Sequence, residues 1–424
     1  MKSEILKRVL RKITKKIITK YNPLIVAVTG SVGKTSTKDA IYTTLNRYKN
    51  TRKSSGNLNT EFGAPLVFFG VDKPGRDTKS WLKILWKGFK LTVIRDKNYP
   101  EVIVMEMGAD KPGDIEHLTE FIKPHIGVVT AIGENPVHIE FYEDVNEVVK
   151  EKSLLAKHTK KGGTVLLNGD DGRVFQMKGR AKAKVKTFGF SDRGEIRAKD
   201  VKFLGDNQTP QGVEFILKHG TEEHKVELPY IFDKGSVYSV LAAIGVGISI
   251  GIPVYRLVES CQGFEPPKGR MRILEGDGFN IIDSSYNAAP KSTELALETL
   301  KTIPGNRKVA VLGDMLELGE TSKEAHRKLG ENLDFLSLLV TVGEDSKLIG
   351  ESAKENEFKG EHFHFKEASE AGKKLKELTK NGDLVLVKGS QSIRTELVVE
   401  ELMIGDPKKE LVRQYYPWKG DGES

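Results

Sequence analysis

The sequence predicts an α/β protein made of two successive parallel-sheet domains. Apolar, β-branched runs such as LIVAVTG (24–30) and EVIVMEMGA (101–109) alternate with segments of helical periodicity from Pro23 onward. The same alternation starts again after a proline pair, with GFNIIDSSYNAAP (278–290). Buried strands separated by helices are typical of parallel sheets. The length of 424 residues also exceeds what one ordinary core accommodates.

Four segments follow in order along the chain. Residues 1–22 are predicted to form a basic amphipathic helix, and residues 23–267 the first α/β domain. Within it, residues 185–230 contain short strands and turns, which indicates a small antiparallel patch. Residues 268–405 form the second, Rossmann-like α/β domain, and residues 406–424 a loose polar tail.

Positive charge is concentrated at the N-terminus. Residues 1–20 hold eight lysines and arginines against one acid, whereas the rest of the chain has 59 basic and 58 acidic residues. A nearly neutral body argues against a nucleic-acid-binding protein. The N-terminal helix either packs its apolar face on the body or rests on an anionic membrane surface. Segment 79–95 has a similar lysine-flanked apolar face, for which buried packing is the default expectation.

No segment is apolar enough to span a bilayer, and Cys261 is the single cysteine. An intrachain disulfide is therefore impossible, and a reducing, cytoplasmic compartment fits best. We expect a monomer.

The stretch AVTGSVGKTST (27–37) predicts a phosphate-binding loop. A strand, a glycine-containing bend and a helix N-terminus direct backbone N–H groups at one point. Lys34 would neutralise the β- and γ-phosphates, and the Thr35 hydroxyl would bind Mg²⁺. Val28 stands where the standard pattern has its first glycine. The predicted nucleotide-binding residues are Thr29, Gly30, Ser31, Val32, Gly33, Lys34, Thr35 and Ser36.

The nucleotide is predicted to be ATP, because the guanine-binding motif Asn-Lys-x-Asp is absent from the sequence. Glu106 ends the apolar strand 101–109, and His138 follows the strand that begins at Pro124. The carboxyl ends of such strands open onto the ligand crevice. Glu106 or His138 alone would be more typical of a structural or surface position. Beside the phosphate loop, the two together predict a Mg²⁺ site.

Six motifs occur in the order found in the Mur ligases: TGSVGKTST, GNLNTEFGAPL, MEMGADKPGDIEHL, DSSYNAAPKS, VLGDMLELGE and VLVKGSQS. Over residues 24–400 the sequence resembles this family, and most closely the branch that joins D-alanyl-D-alanine to UDP-N-acetylmuramoyl-tripeptide. The resemblance implies that ATP phosphorylates the tripeptide's terminal carboxylate. The amine of the dipeptide then attacks the acyl phosphate, and an amide, ADP and phosphate result.

The resemblance also assigns residue roles. Thr35, Glu106, His138 and a carbamylated Lys152 would hold two Mg²⁺ ions, although Lys150 is close enough to leave that alignment open. From the second domain, Arg270, Asp283, Tyr286 and Asn287 would reach ATP. The substrate-contacting residues implied are Asn57, Asn59, Glu61, Asp314, Glu317, Lys388, Gly389 and Ser390.

Two departures from the family pattern stand out. Only residues 1–22 precede the first strand, so we expect the N-terminal domain that grips the UDP-sugar to be missing. Where the family has the adenine-side motif HNVxN, this chain reads GSVYS (235–239), so Ser236 and Ser239 would hold adenine less tightly. A ligase with a different acyl acceptor or amine donor is therefore the first alternative. A non-ligating ATP-binding switch is the second, but Glu106, His138 and Lys152 count against it.

Overall fold

The computed structural model describes residues 2–56, 58–73, 77–134, 136, 139–205, 210–303 and 307–412. Within these ranges the strands form one sheet of nine strands and one of six. The change from the first sheet to the second lies between Cys261, where the last helix of the first unit ends, and Arg272. The predicted boundary at residue 268 falls in this interval.

The first sheet has the strand order β2-β3-β1-β4-β5-β6-β7-β8-β9. Its strands are β1 (Leu24–Thr29), β2 (Thr51–Lys53), β3 (Val102–Glu106), β4 (Ile126–Val129), β5 (Thr164–Asn168), β6 (Lys184–Gly189), β7 (Ile196–Gly205), β8 (Pro210–His219) and β9 (Glu222–Pro229). All pairs from β2 to β7 are parallel, and β7, β8 and β9 are antiparallel. The predicted antiparallel patch is therefore an extension of the parallel sheet.

Helices cover both faces of this sheet. They are α1 (Lys2–Tyr21), α2 (Lys34–Asn46), α3 (Gly63–Phe69), α4 (Thr78–Val93), α5 (Asp114–Thr119), α6 (Val145–His158), α7 (Gly172–Gln176), α8 (Lys234–Ser249) and α9 (Val254–Cys261). Alternate residues of β1 face opposite cores: Val26 and Val28 pack with α2 and α8, while Ile25 and Ala27 pack with α1 and α3. Burial on both faces explains why this strand is apolar throughout.

The second sheet has the order β10-β11-β15-β12-β13-β14, and its pairs are parallel except for the edge strand β10. Its strands are β10 (Arg272–Glu275), β11 (Asn280–Ser284), β12 (Arg307–Gly313), β13 (Leu338–Val342), β14 (Glu361–Phe365) and β15 (Asp383–Lys388). Its helices are α10 (Pro290–Thr302), α11 (Ser322–Gly330), α12 (Lys347–Glu355), α13 (Ala368–Leu378), α14 (Glu396–Leu402) and α15 (Pro407–Glu410). The prediction of two α/β units is confirmed.

The N-terminal helix packs on the body. Leu10, Thr14 and Ile17 of α1 are fully buried against the first sheet's helical layer. The apolar face of α1 is thus used inside the protein. Among the described residues, no helix is both long and apolar enough to cross a bilayer.

Two expectations about the surface were wrong. Trp86 and Phe89 of α4, expected in the core, are exposed, because the face of α4 that carries Ile84 and Gly88 is the one that contacts the body. The segment after Asp406 was expected to be loose, yet α15 lies against the second domain: Leu411 is buried and Glu410 pairs with Arg272 at 3.1 Å. Residues 413–424 lie outside the described residues.

Candidate active site

The phosphate loop follows β1 and leads directly into α2. Gly30 has φ +143°, and a Cβ there would lie 2.0 Å from the Thr130 hydroxyl, so the position requires glycine. Gly33, at φ +86°, caps the N-terminus of α2. Thr130 closes the loop by donating to the Val32 carbonyl at 2.6 Å. The loop is therefore fixed from β4 before any ligand arrives.

Lys34 is the first residue of α2 and lies across the loop. Its Nζ donates to the Gly30 carbonyl at 2.8 Å, and burial lowers its pKa, an effect that Glu106 partly opposes. An ammonium held by one carbonyl in a buried loop is a suitable partner for phosphate oxygens. The side chain is in position to bind a phosphate with little rearrangement.

Glu106 stands beside the loop at the end of β3. The parallel register pairs Glu106 with Val28, two residues before Gly30. The carboxylate is buried, and Lys38 Nζ lies 3.1 Å from its Oε1, yet this oxygen accepts no hydrogen bond within the described residues. A buried carboxylate oxygen with unused acceptor capacity is costly unless a cation completes it.

Lys152, and not Lys150, is the buried lysine of α6. Only 2% of Lys152 is exposed, while Lys150 points to solvent. Burial, together with the neighbouring charge of Lys34, lowers the pKa of Lys152 to about 7. Among the described residues, Lys152 makes no hydrogen bond or ion pair. Of the two lysines that the sequence left open, only Lys152 therefore lies inside the protein.

The second domain reaches the phosphate loop through Arg270. Its guanidinium donates to the Thr35 hydroxyl at 3.1 Å and lies over the Tyr286 ring at 4.4 Å. Stacking on an aromatic ring orients the planar guanidinium. Arg270 therefore places a permanent positive charge from one domain beside the nucleotide loop of the other.

Lys388 ends β15, opposite Ser284 at the end of β11. Its Nζ donates to the Asn287 carbonyl at 2.8 Å and to the Ser284 hydroxyl at 3.2 Å. Burial, together with the charge of Arg270, lowers the pKa of Lys388 to about 7. Ser390 is fixed nearby, since its hydroxyl accepts from the Leu316 N–H at 2.9 Å.

Apart from Lys152, which is not part of its lining, these groups open onto one cleft of about 1010 Å³ between the two domains. The predicted residues that line it are Ser31, Val32, Gly33, Lys34, Thr35, Ser36, Asn59, Glu106, Arg270, Tyr286, Asn287, Glu317, Lys388 and Ser390. Asp110 and Arg394 also line it and were not predicted. The phosphate loop and several cationic side chains of the second domain therefore line the same cleft.

Other predicted residues do not line this cleft. Asp283 is buried, where it accepts from the Ser285 N–H and hydroxyl at 3.1 and 2.6 Å. Asp314 accepts from the N–H groups of Glu344 and Ser346 at 2.8 and 2.7 Å. Both carboxylates hold turns at the ends of strands. Burial is the main cause that raises the pKa of Asp283.

Gly389 and Glu61 also lie away from the cleft lining. A Cβ at Gly389 would come within 2.6 Å of Thr395, so this glycine allows close packing. Glu61 pairs with Lys7 at 2.8 Å and with Arg11, both on α1. Asn57 and His138 fall outside the described residues.

A second cleft, of about 1190 Å³, lies on the other side of the phosphate loop and shares Val32 and Gly33 with the first. Its walls include Asp170 and Asp171, which were not predicted as site residues. Asp171 accepts from the Ile132 N–H at 2.8 Å, and Asp170 accepts from the Tyr238 hydroxyl at 2.8 Å. The sequence signal that could have predicted them was the pair of acids in LLNGDD, just beyond the carboxyl end of β5.

The two serines of GSVYS are used inside the protein. Ser236 donates from its hydroxyl to Asp233 at 2.6 Å, in the N-cap of α8. Ser239 accepts from the Thr37 hydroxyl at 3.2 Å, which joins α8 to α2. Ser236 also lines the first cleft, and Ser239 and Tyr238 line the second.

Comparison with known proteins gives this geometry a context. The sequence matches the Mur ligase middle domain over residues 28–247, more than half of the chain, and the Mur ligase, glutamate ligase domain over residues 269–391. A UDP-N-acetylmuramoyl-tripeptide–D-alanyl-D-alanine ligase of Bacillus subtilis (strain 168) is 27% identical over 398 residues, covering 93% of this chain and 79% of the relative. The corresponding ligase of Escherichia coli (strain K12) is 27% identical over 383 residues, covering 89% and 76%.

A solved structure shows the same fold. The MurF ligase from Thermotoga maritima, determined in complex with ADP, superposes with a TM-score of 0.77 at 27% identity, covering 93% of this chain and 83% of that one. The shared fold, the phosphate loop and the two domain matches lead to one conclusion. The chain belongs to the Mur ligase family.

Proposed function

We propose that the chain is an ATP-dependent amide ligase of peptidoglycan-precursor synthesis, acting as a cytoplasmic monomer. It would join D-alanyl-D-alanine to UDP-N-acetylmuramoyl-tripeptide. The observation that carries the proposal is the single cleft onto which the phosphate loop, Glu106, Arg270 and Lys388 all open. Relatives bearing the name of this reaction are similar over most of the chain.

The chemistry requires a carboxylate to be activated before nitrogen attacks it. A carboxylate oxygen of the acyl substrate attacks the γ-phosphorus, and ADP leaves. The amine nitrogen then attacks the acyl carbon, phosphate leaves with the bonding electrons, and the amine proton passes to solvent. Lys34 and Arg270 face the phosphates from opposite domains and stabilise the charge that spreads over the transferring group.

Lys388 and Ser390 suit the amine donor's carboxylate. Two acceptors orient Lys388, and its ammonium would form a charged hydrogen bond with the carboxylate of the dipeptide. Holding the dipeptide by this end places its amine toward the acyl phosphate. The nucleoside of ATP would occupy the second cleft, whose wall continues from Gly33 to Asp170 and Tyr238.

The residues around the phosphate loop fit Mg²⁺. Glu106 Oε1 is buried and accepts no well-aligned hydrogen bond within the described residues, although Lys38 Nζ lies 3.1 Å away, and the Thr35 hydroxyl lies at the start of α2. Both are oxygen ligands of the kind Mg²⁺ prefers. Thr35 and Glu106 would hold one ion, which supplies positive charge to the phosphates. His138 remains a predicted ligand.

Lys152 fits a carbamylated lysine. A buried amine with a pKa near 7 is partly neutral at physiological pH, and its lone pair can attack CO₂. The neutral amine attacks the carbon of CO₂, one C=O bond opens to give a carboxylate oxygen, and one N–H proton passes to solvent, so the product is an anion; starting from the ammonium form, two protons are released. We propose that this carbamate supports a second Mg²⁺.

A ligase with a different acyl acceptor is the second candidate, and Glu61 favours it. Glu61 belongs to the loop expected to contact substrate, but Lys7 and Arg11 of α1 engage both of its oxygens. Burial would raise the pKa of Glu61, but the ion pairs with Lys7 and Arg11 outweigh it and lower the pKa, so the carboxylate stays ionised. Two cations of α1 therefore compete with a substrate for this carboxylate.

The test is phosphate release from Mg·ATP by the full chain, with UDP-N-acetylmuramoyl-tripeptide and D-alanyl-D-alanine added singly and together, and Lys34→Ala as the inactive control. We expect release only with both substrates, and a UDP-N-acetylmuramoyl-pentapeptide product by mass spectrometry. Release with other acceptors alone would select the second candidate. ATP binding without any acceptor-dependent turnover would instead show the non-ligating switch.

A further inference from the structure

The outer face of α4 carries a stripe of exposed apolar side chains. Leu82, Trp86, Phe89 and Val93 recur at intervals of four, three and four residues, which places them on one helical face. Their side chains are 61%, 67%, 50% and 65% exposed. Trp86 and Phe89 contact each other, with ring centroids 6.0 Å apart. Contiguous exposed apolar surface of this kind indicates a binding site.

Positive charge surrounds this stripe. Four exposed lysines, Lys79, Lys83, Lys87 and Lys90, lie on α4, which has no acid. Residues 2–21 and 78–93 together hold 12 of the 67 lysines and arginines but one of the 59 acids, which leaves the rest of the chain with 55 basic and 58 acidic residues. The net positive charge of the protein therefore resides on α1 and α4.

The helix that presents the stripe is firmly attached. Ile84 is buried, and a Cβ at Gly88 would lie about 3 Å from Phe69 and Ile13. At the end of α4, Lys20 and Tyr21 of α1 donate to the carbonyls of Leu91 and Ile94, each at 3.0 Å. The exposed side chains thus project from a fixed platform, so their burial requires an external surface.

We propose that this platform, defined as the outer face of α4 (Leu82, Trp86, Phe89 and Val93) with the lysines of α4 and α1, binds the surface of an anionic phospholipid bilayer. The aromatic rings would enter the interface between headgroups and acyl chains, and the lysines would contact lipid phosphates. The sequence alone pointed to the apolar face of α1, which the structure buries. The lipid-facing element is therefore α4, with α1 adding charge.

Charge complementarity selects the bilayer over a second copy of the chain. A symmetric dimer would bring the same face of two copies together, and with it eight like-charged lysines of α4. Leu82 and Val93 are aliphatic and offer no ring on which a nucleic-acid base could stack. An anionic bilayer would both bury the apolar stripe and neutralise the lysines.

The test is co-sedimentation of the full chain with phosphatidylcholine vesicles, with and without phosphatidylglycerol. The variants are Trp86→Ser/Phe89→Ser and Lys79→Gln/Lys83→Gln/Lys90→Gln. Tyr255→Ser and Lys373→Gln, exposed on other surfaces, are the matched controls. We expect binding to the anionic vesicles only, weakened at least roughly tenfold in both variants and by added salt, and unchanged in the controls.

ATP binding in solution should be the same in all variants, because the platform lies outside both clefts. Three results would overturn the proposal. They are failure of the unmodified chain to bind anionic vesicles, equal binding by the variants, and self-association or nucleic-acid binding that the same substitutions remove in place of vesicle binding.

Discussion

One buried lysine from each domain, Lys152 in the first and Lys388 in the second, can be compared near the candidate cleft: the two have nearly the same pKa but different hydrogen bonds. Burial lowers the pKa of both Lys152 and Lys388 to about 7. Lys388 donates to Ser284 and Asn287, whereas Lys152 has no hydrogen-bond partner within the described residues. The pKa alone therefore does not assign a role. Two hydrogen-bond acceptors hold Lys388 as a donor. Lys152 has no acceptor within the described residues, and we expect its amine to be free to react with CO₂.

The largest expected effect comes from Lys152→Met. If a carbamate on Lys152 supports a metal ion, its loss should lower the rate of ligation by about 10²–10³-fold, the range seen when one transition-state-stabilising group is removed. The measurement is the initial rate of phosphate release at saturating substrates. Lys150→Met, on the exposed face of the same helix, is the control and should retain full activity. If Lys150→Met lost activity and Lys152→Met did not, Lys150 would be the functional lysine.

Lys388→Met should have the next largest effect, and a different one. Losing a charged hydrogen bond to the dipeptide costs about 1.5–3 kcal/mol, or roughly 10–100-fold in kcat/KM for the amine donor. ATP binding should change little, because the proposed phosphate-binding residues, Lys34 and Arg270, are unchanged. The exposed Lys366→Met serves as the control. An equal rise in the KM for ATP would place Lys388 at the nucleotide instead.

The sequence predicted much of the site that lies on regular elements. The phosphate loop and Glu106 follow β-branched strands, and the carboxyl ends of parallel strands meet by geometry. Lys388 likewise ends a strand. These positions follow from local pattern and sheet topology together, so the sequence was sufficient to find them.

The residues that sequence reasoning misplaced depend on contacts between distant segments. Asp314 resembles a cleft residue in its motif, but the loop before α12 supplies the N–H groups that turn it inward. Glu61 is engaged by α1, a pairing across about fifty residues that no local pattern indicates. The exposure of Trp86 similarly depends on which face of α4 meets α3 and α1. Tertiary packing, not propensity, decided these positions.

Stability at different pH values tests the buried state of Lys388. Its ordinary pKa of 10.5 falls to about 7 in the folded chain, despite the opposing charges of Asp233 and Asp283. Between these two values the unfolded chain binds a proton that the folded chain does not, so the free energy of unfolding rises with pH. Below about pH 7 both states are protonated, and the full cost of burying the charge is present.

Lys388→Met removes this titration. We expect the stability of the unmodified chain relative to the variant to increase between about pH 7 and pH 9, as measured by chemical denaturation. The control is Lys366→Met, whose exposed ammonium should give a curve parallel to that of the unmodified chain. Parallel curves for Lys388→Met as well would mean that Lys388 is charged and solvated in the folded protein.

The smallest expected effect, and the sharpest test of the comparison, comes from Ser284→Ala. Lys388 would retain the Asn287 carbonyl as an acceptor but lose the Ser284 hydroxyl, at a cost of about 0.5–1.5 kcal/mol and less than roughly tenfold in kcat/KM for the dipeptide. Ser284→Thr keeps a hydroxyl and should behave like the unmodified chain. If acceptors are what separate the two lysines, the remaining Asn287 carbonyl should still keep Lys388 a donor. With ¹³C-labelled CO₂, NMR should then show one carbamate in the unmodified chain and in Ser284→Ala, and none in Lys152→Met. A second carbamate already present in the unmodified chain would mean that burial, and not hydrogen bonding, controls the reactivity of both lysines.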